Sequence, residues 1–182
     1  MNNHRTDNSY FTEKVALRAD NLPETDPLSV LELYTGNGLL WDRVRAATGR
    51  TINILRVDKD GSRSGLYLKG DNRKFRFNYA AFHVVDMDAY GVPFVQLERF
   101  FAAKPPPGAA VFVTFIQSGM GRLPFGLLSA LGYPKSMVVR CPTLFYANGQ
   151  KKFFAYLAAR GVKHIRYYTD SSRRKTYLYF ST

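Results

Sequence analysis

Cysteine is almost absent from the 182-residue chain, and the single Cys141 excludes both an intramolecular disulfide and a cysteine-rich zinc site. No apolar run approaches the roughly 20 residues that a membrane-spanning helix needs. The polar start of the chain, residues 1–14, has no apolar core of the kind found in a signal peptide. The histidines are dispersed without metal-ligand spacing. These absences predict a cytoplasmic globular protein with neither a metal site nor a membrane segment.

Acidic residues are also scarce, since 14 of them stand against 26 lysines and arginines, for a net charge of +12. Such an excess attracts phosphate backbones, whose counterions are released on binding. Hydrophobic residues make up 46% of the chain and aromatic residues 15%, which excludes general disorder. The length suits one well-cored domain. The chain is therefore predicted to be a folded domain with a polyanionic partner, and a merely solvated basic surface is the alternative.

Seven apolar segments rich in β-branched and aromatic residues have the length and bounds of buried strands. They are LSVLELY (28–34), INILRV (52–57), LYLKG (66–70), FHVVDM (82–87), AAVFVTFI (109–116), VKHIRYY (162–168) and KTYLYFS (175–181). Segments of helical period stand between most of them, and strands that alternate with helices predict a mostly parallel sheet covered on both faces. The tight TDSSRR turn makes the last strand antiparallel. We expect an α/β, doubly wound seven-stranded sheet over residues 28–182, preceded by an N-terminal extension, residues 1–27.

A glycine-rich turn follows the first predicted strand, in VLELYTGNG (30–38). Gly36 and Gly38 lack the Cβ atoms that would keep a ligand from the backbone. The helix that follows presents its free N–H groups toward such a ligand. Trp41 occupies the position of the third glycine in the dinucleotide fingerprint G-x-G-x-x-G, so a pyrophosphate-binding turn is the poorer fit.

This turn resembles motif I of the class I S-adenosylmethionine-dependent methyltransferases, V-L-[DE]-x-x-x-G-x-G. That family has a Rossmann-like seven-stranded sheet with a reversed last strand. The resemblance implies S-adenosyl-L-methionine as cofactor, with an acidic residue after the second strand that binds the ribose hydroxyls and polar residues after the third strand near the adenine. Asp60 is an alternative to Asp58 for the ribose, and a buried or capping carboxylate is the alternative for Asp86. The implied cofactor-binding residues are Glu32, Tyr34, Gly36, Gly38, Asp58, Asp71, Asn72 and Asp86.

The connection between the second and third predicted strands is unusually short. Only about eight residues separate Asp58 from LYLKG, too few for a full crossover helix. Either the helix is reduced to a turn, or residues 57–68 form a hairpin-like excursion. The second alternative would place Asp71 in doubt as a cofactor contact.

The segment after the fourth strand, VVDMDAYGVP (84–93), resembles the D-P-[FY]-G-x-P loop of tRNA guanine-N2 methyltransferases. Asp88, Tyr90, Gly91 and Pro93 match, and Ala89 stands where that motif has proline. The resemblance implies two catalytic residues. Asp88 would accept the N–H of an exocyclic amine, and Tyr90 would stack on a planar base. For Tyr90, packing under the loop is the alternative.

Basic residues cluster late in the chain among tyrosines, a composition that suits nucleic acid because cations hold phosphate and rings stack on bases. Alternate tyrosines in a strand are also ordinary core positions. The predicted nucleic-acid-binding residues are Lys151, Lys152, Arg173, Arg174 and Lys175.

Together these features predict a methyltransferase that acts on a base amine of RNA, with DNA as the second choice. The chain has almost no room for a separate target-recognition domain, so specificity is expected to come from the loops, the basic face, a homo-oligomer or a protein partner. The alternatives are a methyltransferase of a small molecule or protein, and a non-catalytic cofactor-binding nucleic-acid module.

Overall fold

A computed structural model describes residues 10–59, 66–117, 121–171 and 174–182 of the protein. Its strands are β1 (Leu28–Glu32), β2 (Ile52–Asp58), β3 (Tyr67–Lys69), β4 (Val84–Met87), β5 (Ala110–Ile116), β6 (Ile165–Thr169) and β7 (Lys175–Ser181). The helices among the described residues are α1 (Phe11–Ala19), α2 (Leu39–Thr48), α3 (Phe94–Ala102), α4 (Phe125–Ala130), α5 (Lys135–Arg140), α6 (Pro142–Tyr146) and α7 (Gly149–Ala159), with a short 3-10 turn at Tyr79–Ala81.

The strands form one sheet in the order β3-β2-β1-β4-β5-β7-β6. Neighbouring strands from β3 to β5 run parallel, whereas β7 is antiparallel to both β5 and β6. The predicted α/β sheet, mostly parallel with a reversed last strand, is therefore confirmed. Every predicted strand forms, with ends that shift by a few residues, as is usual where elements fray.

The connection from β2 to β3 returns the chain in the same direction, because Arg56 pairs with Tyr67 and Asp58 with Lys69 in parallel register. The hairpin-like alternative for this segment is therefore wrong. Residues 60–65, which include Asp60, lie outside the described residues.

Side chains alternate across the central strands and build two hydrophobic layers. Odd-numbered residues of β1, β4 and β5 enter the larger layer, beneath α3, α4 and α7. Even-numbered residues of the same strands enter the smaller layer, where Val15 of α1 and Trp41 and Val44 of α2 cover them. Helix α1 thus belongs to the core, although it lies within the predicted N-terminal extension.

Glycines in the left-handed region begin and end the helix after the first strand. Gly38 (φ 71°) precedes α2, and Gly49 (φ 66°) follows it and donates its N–H to the Arg45 carbonyl at 2.9 Å. A helix commonly ends in this way, with a glycine in the left-handed conformation just after its last residue. No helix in the described ranges has both the length and the apolar character needed to cross a bilayer.

Candidate cofactor and active site

A polar cluster lies at the carboxyl ends of the central strands, on the face that carries α1 and α2. The alternation that buries Val30, Ile54, Val84 and Phe112 on this face continues with polar residues toward the strand ends. A ligand site of a doubly wound sheet lies at this edge. The polar residues of the cluster are Glu32, Arg56, Asp86, Asp88 and Thr114.

The glycine-rich turn lies beside the end of β2. Gly36 adopts a φ of 54°, and its N–H donates to Oδ2 of Asp58 at 2.7 Å. The structure therefore brings together two of the predicted cofactor contacts, the turn and the acidic residue after the second strand. The hydroxyl of Tyr67 donates to the Asp58 carbonyl at 2.8 Å and so holds the backbone of this strand end.

The polar residues after β3 have two different environments. Asn72 is buried, donates to the Leu33 carbonyl at 2.5 Å and accepts from Nε2 of Gln96 at 2.5 Å. Burial raises the pKa of Tyr34 to about 12, against a hydrogen bond to Asn72 that lowers it. Asn72 therefore ties the first turn to α3.

Asp71, by contrast, lies at the surface in an ion pair with Arg73 at 2.7 Å. The hydrogen bonds from Arg73 hold the pKa of the Asp71 carboxyl well below its usual range. This carboxylate is thus ionised at neutral pH, beside the strand end that carries Asp58.

Glu32, the acidic residue of the first motif, is buried and turned inward. Its carboxylate lies 3.3 Å from Nε of Arg56, which also reaches Asp42 at 2.5 Å. Burial, and then the nearby charge of Asp86, raises the pKa of Glu32 to about 8, and Arg56 and Arg18 only partly offset this rise.

Asp86 has no exposed surface, and its carboxylate accepts hydrogen bonds from Arg18 and Trp41. Arg18 donates from Nε at 2.7 Å and from Nη2 at 2.8 Å, and Trp41 donates from Nε1 at 2.6 Å. A carboxylate with this set of donors is a buried ion pair of α1 and β4, the alternative reading of Asp86 from the sequence.

Asp88, the predicted acceptor of a substrate amine, is held by two other elements. Nζ of Lys14 donates to Oδ1 at 3.0 Å and to Oδ2 at 2.9 Å, and the Thr114 hydroxyl donates to Oδ1 at 2.5 Å. Burial raises the pKa of Asp88, but Arg18, Lys14 and Thr114 outweigh it and leave the pKa below its ordinary value. These donors use three of the about four acceptor positions of a carboxylate, which leaves one on Oδ2.

The loop after Asp88 is anchored on both sides of an exposed aromatic ring. Ala89 is buried and donates its N–H to the Met87 carbonyl at 2.8 Å, and the Gly91 carbonyl accepts from Ile116 at 2.9 Å. Between them Tyr90 is 86% exposed. The loop therefore presents an aromatic face outward with alanine where the resembled motif has proline.

Of the predicted nucleic-acid-binding residues, Lys151 and Lys152 lie on α7, Lys175 begins β7, and Arg174 directly precedes that strand. Lys151 and Arg174 are exposed, Lys152 and Lys175 are half-buried, and Arg173 lies outside the described residues. Lys152 donates to the Ala147 carbonyl, and desolvation lowers its pKa.

The tyrosines near these cations divide between surface and core. Tyr167 is 55% exposed on β6, whereas Tyr177 is buried. Tyr177 lies with Tyr10 and Tyr168 in an aromatic cluster at the N-terminal end of α1. The core alternative is therefore correct for Tyr177.

Sequence reasoning missed the contacts that hold the two carboxylates, which come from Lys14, Arg18, Trp41 and Thr114. A signal for the first two was present, because they stand four residues apart beside the apolar Phe11 and Val15, on the buried face of α1. In the parts of the chain that the structure describes, no group of three or more His, Cys, Asp or Glu side chains is arranged to hold a metal ion.

The order of the strands, the reversed β7 and the glycine-rich turn after β1 define a fold, that of the class I S-adenosylmethionine-dependent methyltransferases. Among solved structures, the chain is similar to a possible exported protein from Bordetella parapertussis, with a TM-score of 0.63, 12% identity and coverage of 96% of this chain and 67% of that one. It is similar to human N-acetylserotonin methyltransferase in complex with S-adenosylmethionine, with a TM-score of 0.57, 11% identity and coverage of 95% and 51%. For Haemonchus contortus phosphoethanolamine N-methyltransferase 2 in complex with S-adenosyl-L-methionine, these values are 0.56, 16%, 89% and 39%.

The similarity does not extend to sequence. No protein-family model matches the chain, and no curated protein matches it. The chain spans 39% to 67% of the length of the three structures. At these identities the likeness establishes the fold.

Proposed function

We propose that the protein is an S-adenosylmethionine-dependent methyltransferase that N-methylates a base amine of RNA. The observation that carries this proposal is the placement of two features at one edge of the sheet. The Gly36 turn with Asp58 lies at the ends of β1 and β2, and the loop with Asp88 and Tyr90 lies at the end of the adjacent β4.

The residues present fit the cofactor at the turn. Gly36 and Gly38 leave the backbone open to approach, and Asp58 offers a carboxylate for a vicinal diol within one hydrogen bond of the turn. Asp71 adds an ionised carboxylate after the next strand. When bound, the cofactor supplies an electrophilic methyl group on sulfur. Glu32 and Asp86 are engaged inside the protein and are left out of the proposed contacts, and Tyr34 and Asn72 brace the turn.

Asp88 and Tyr90 are the residues proposed to act on the methyl acceptor. The lone pair of an exocyclic amine is delocalised into its ring, and an acceptor for its N–H localises that pair on nitrogen. The remaining acceptor position on Oδ2 of Asp88 is suited to this role, whereas its low pKa makes it a poor proton acceptor. Tyr90 offers an exposed ring on which a planar base can stack.

RNA is proposed as the substrate because of the net charge of +12 and the resemblance of the Asp88 loop to that of tRNA guanine-N2 methyltransferases. Residues proposed to hold its phosphates are Lys151, Lys152, Arg173, Arg174 and Lys175. A cytoplasmic location follows from the same proposal. The replacement of the motif proline by Ala89 keeps the non-catalytic binding module as the second candidate.

Cofactor binding is tested by calorimetric titration with S-adenosylhomocysteine. We expect micromolar binding to the intact protein and weaker binding to Asp58→Ala. Asp20→Ala, at an exposed carboxylate just after α1, is the control and should bind as the intact protein does. No binding by folded protein would overturn the methyltransferase proposal.

Methyl transfer is then tested with the radiolabelled cofactor and separate pools of RNA, DNA, protein and small metabolites. Label in RNA that is recovered in a methylated base after digestion of the RNA supports the proposal. Label only in protein or in small molecules would overturn the RNA assignment. Cofactor and RNA binding without transfer to any pool would favour the non-catalytic module.

A further inference from the structure

Two ion pairs of matched spacing join α1 to the end of β4. Lys14 and Arg18 stand one turn apart on the helix, a rise of about 6 Å. Asp86 and Asp88 are alternate residues of an extended segment, about 6.6 Å apart along it. Because the two spacings agree, Arg18 meets Asp86 at 2.7 Å while Lys14 meets Asp88 at 2.9 Å.

Lys14 has little freedom to move away from Asp88. It is 8% exposed, and its Nζ lies 4.8 Å from the centre of the Tyr177 ring. Such a contact holds an ammonium group in a position that is mostly removed from water.

The groups that face Asp88 come from several packed elements. Lys14 and Arg18 extend from α1, Asp86 precedes it on β4, and Thr114 extends from β5. Tyr177 of β7 lies under Lys14. Lys14 is the charged group that touches both oxygens of Asp88, so it fixes the plane of the carboxylate as well as its charge.

We propose that Lys14 is a positioning residue of the active site, which orients the Asp88 carboxylate and keeps it ionised so that the remaining position on Oδ2 accepts the substrate N–H. An ionised carboxylate is acceptor-only, whereas a protonated one carries a donor that would oppose an incoming N–H. The part of this inference that concerns the substrate rests on the proposed function. The part that concerns Asp88 does not.

The first test follows the titration of the Asp88 carboxyl by NMR of protein labelled with ¹³C at aspartate. The Asp88 signal is assigned with Asp88→Asn. In Lys14→Met, which keeps the side-chain stem over Tyr177, we expect the Asp88 pKa to rise by about 1–3 units. Lys14→Arg should restore the low value, and Lys135→Met, at an exposed lysine of α5, should leave it unchanged. An unchanged Asp88 pKa in a folded Lys14→Met protein would overturn the inference.

The second test measures methyl transfer in the same variants. Lys14→Met should lower kcat and move the acid limb of the pH profile upward, with the KM for the cofactor unchanged and with rescue by Lys14→Arg. A lower kcat with an unmoved acid limb would mean that Lys14 is merely structural. If the intact protein transfers no methyl group, the proposed function fails, while the carboxyl titration still decides whether Lys14 controls Asp88.

Discussion

The two parts of the chain on either side of residue 98 use charge in different ways. Residues 1–98 hold 13 of the 14 acidic residues and 13 of the 26 basic ones, so they are neutral overall. Residues 99–182 hold the other 13 basic residues and one acidic residue, so the whole net charge of +12 lies there.

Three ion pairs of the first part are buried in the protein. Arg18 with Asp86, Lys14 with Asp88 and Arg56 with Glu32 join α1, β1, β2 and β4 around the candidate site. Arg160 of the second part forms an ion pair with Glu98, which belongs to the first part. The two parts therefore differ in their charge: the first contains buried ion pairs at the candidate site, and the second has a large excess of positive charge.

The largest expected effect comes from a buried pair of the first part. Arg18→Met would leave the Asp86 carboxylate buried without its cation, and we expect the free energy of unfolding to fall by about 3–5 kcal/mol. Arg160→Met breaks a partly exposed pair and should cost less than about 1 kcal/mol. Urea denaturation of both variants checks the contrast, and equal losses would show that the pairs of the two parts do not differ.

A pH-dependent effect is expected at Glu32. A carboxyl whose pKa rises to about 8 on folding contributes stability below pH 4.5, and this contribution is lost as the pH rises through 8. Glu32→Gln cannot ionise, so its stability relative to the intact protein should rise by up to about 1.4 kcal/mol per pH unit between these values. Denaturation at pH 5 and pH 8 measures this difference. A constant difference would mean that Arg56 keeps Glu32 ionised throughout.

Tyr90→Ala should weaken RNA binding by about 1–3 kcal/mol through the loss of one stacked base. Affinity for S-adenosylhomocysteine should not change, because Tyr90 contributes no proposed cofactor contact. The control is Phe125→Ala, which removes a half-exposed ring in the basic part. Tyr133 is less suitable because its ring packs against Phe145. Equal losses of RNA affinity in Tyr90→Ala and Phe125→Ala would argue against a specific stack.

The smallest effect should come from single exposed lysines. If RNA phosphates lie along the basic part, Lys151→Ala lowers the slope of log affinity against log salt by about 0.7. Lys74→Ala, an exposed lysine of the neutral part, should leave the slope unchanged. Filter binding over a range of salt concentrations checks both variants, and equal slopes would remove the proposed difference between the two surfaces.

The sheet and the glycine-rich turn could be predicted because their signals are local. Alternating strand and helix periods identified the order of elements, and a glycine such as Gly49, which follows α2, is a local signal of a helix end. The direction of β3 could not be settled from a connection of about eight residues, and the structure places it parallel to β2.

The partners of Asp86 and Asp88 could not be predicted for a different reason. Arg18 and Lys14 lie 68 and 74 residues away from them in the sequence, and no local pattern links a helix at residue 14 to a strand end at residue 88. The glycines and aspartates of the resembled motifs indicate which strand ends carry polar groups. They do not indicate which of those groups the protein engages for itself.

The position of α1 has a consequence for the order of events during synthesis. The helix leaves the ribosome long before the carboxylates it binds, and a gap of 68 residues takes several seconds at the usual rate of about 5–20 residues per second. Until β4 is made, Lys14 and Arg18 have no partner there, and a nine-residue helix is marginal by itself in water. Tyr177, whose ring contacts Lys14, is made later still than Asp86 and Asp88. The segment that shapes the candidate active site is thus made before the strands that it packs against, and it can reach its final place only after they have formed.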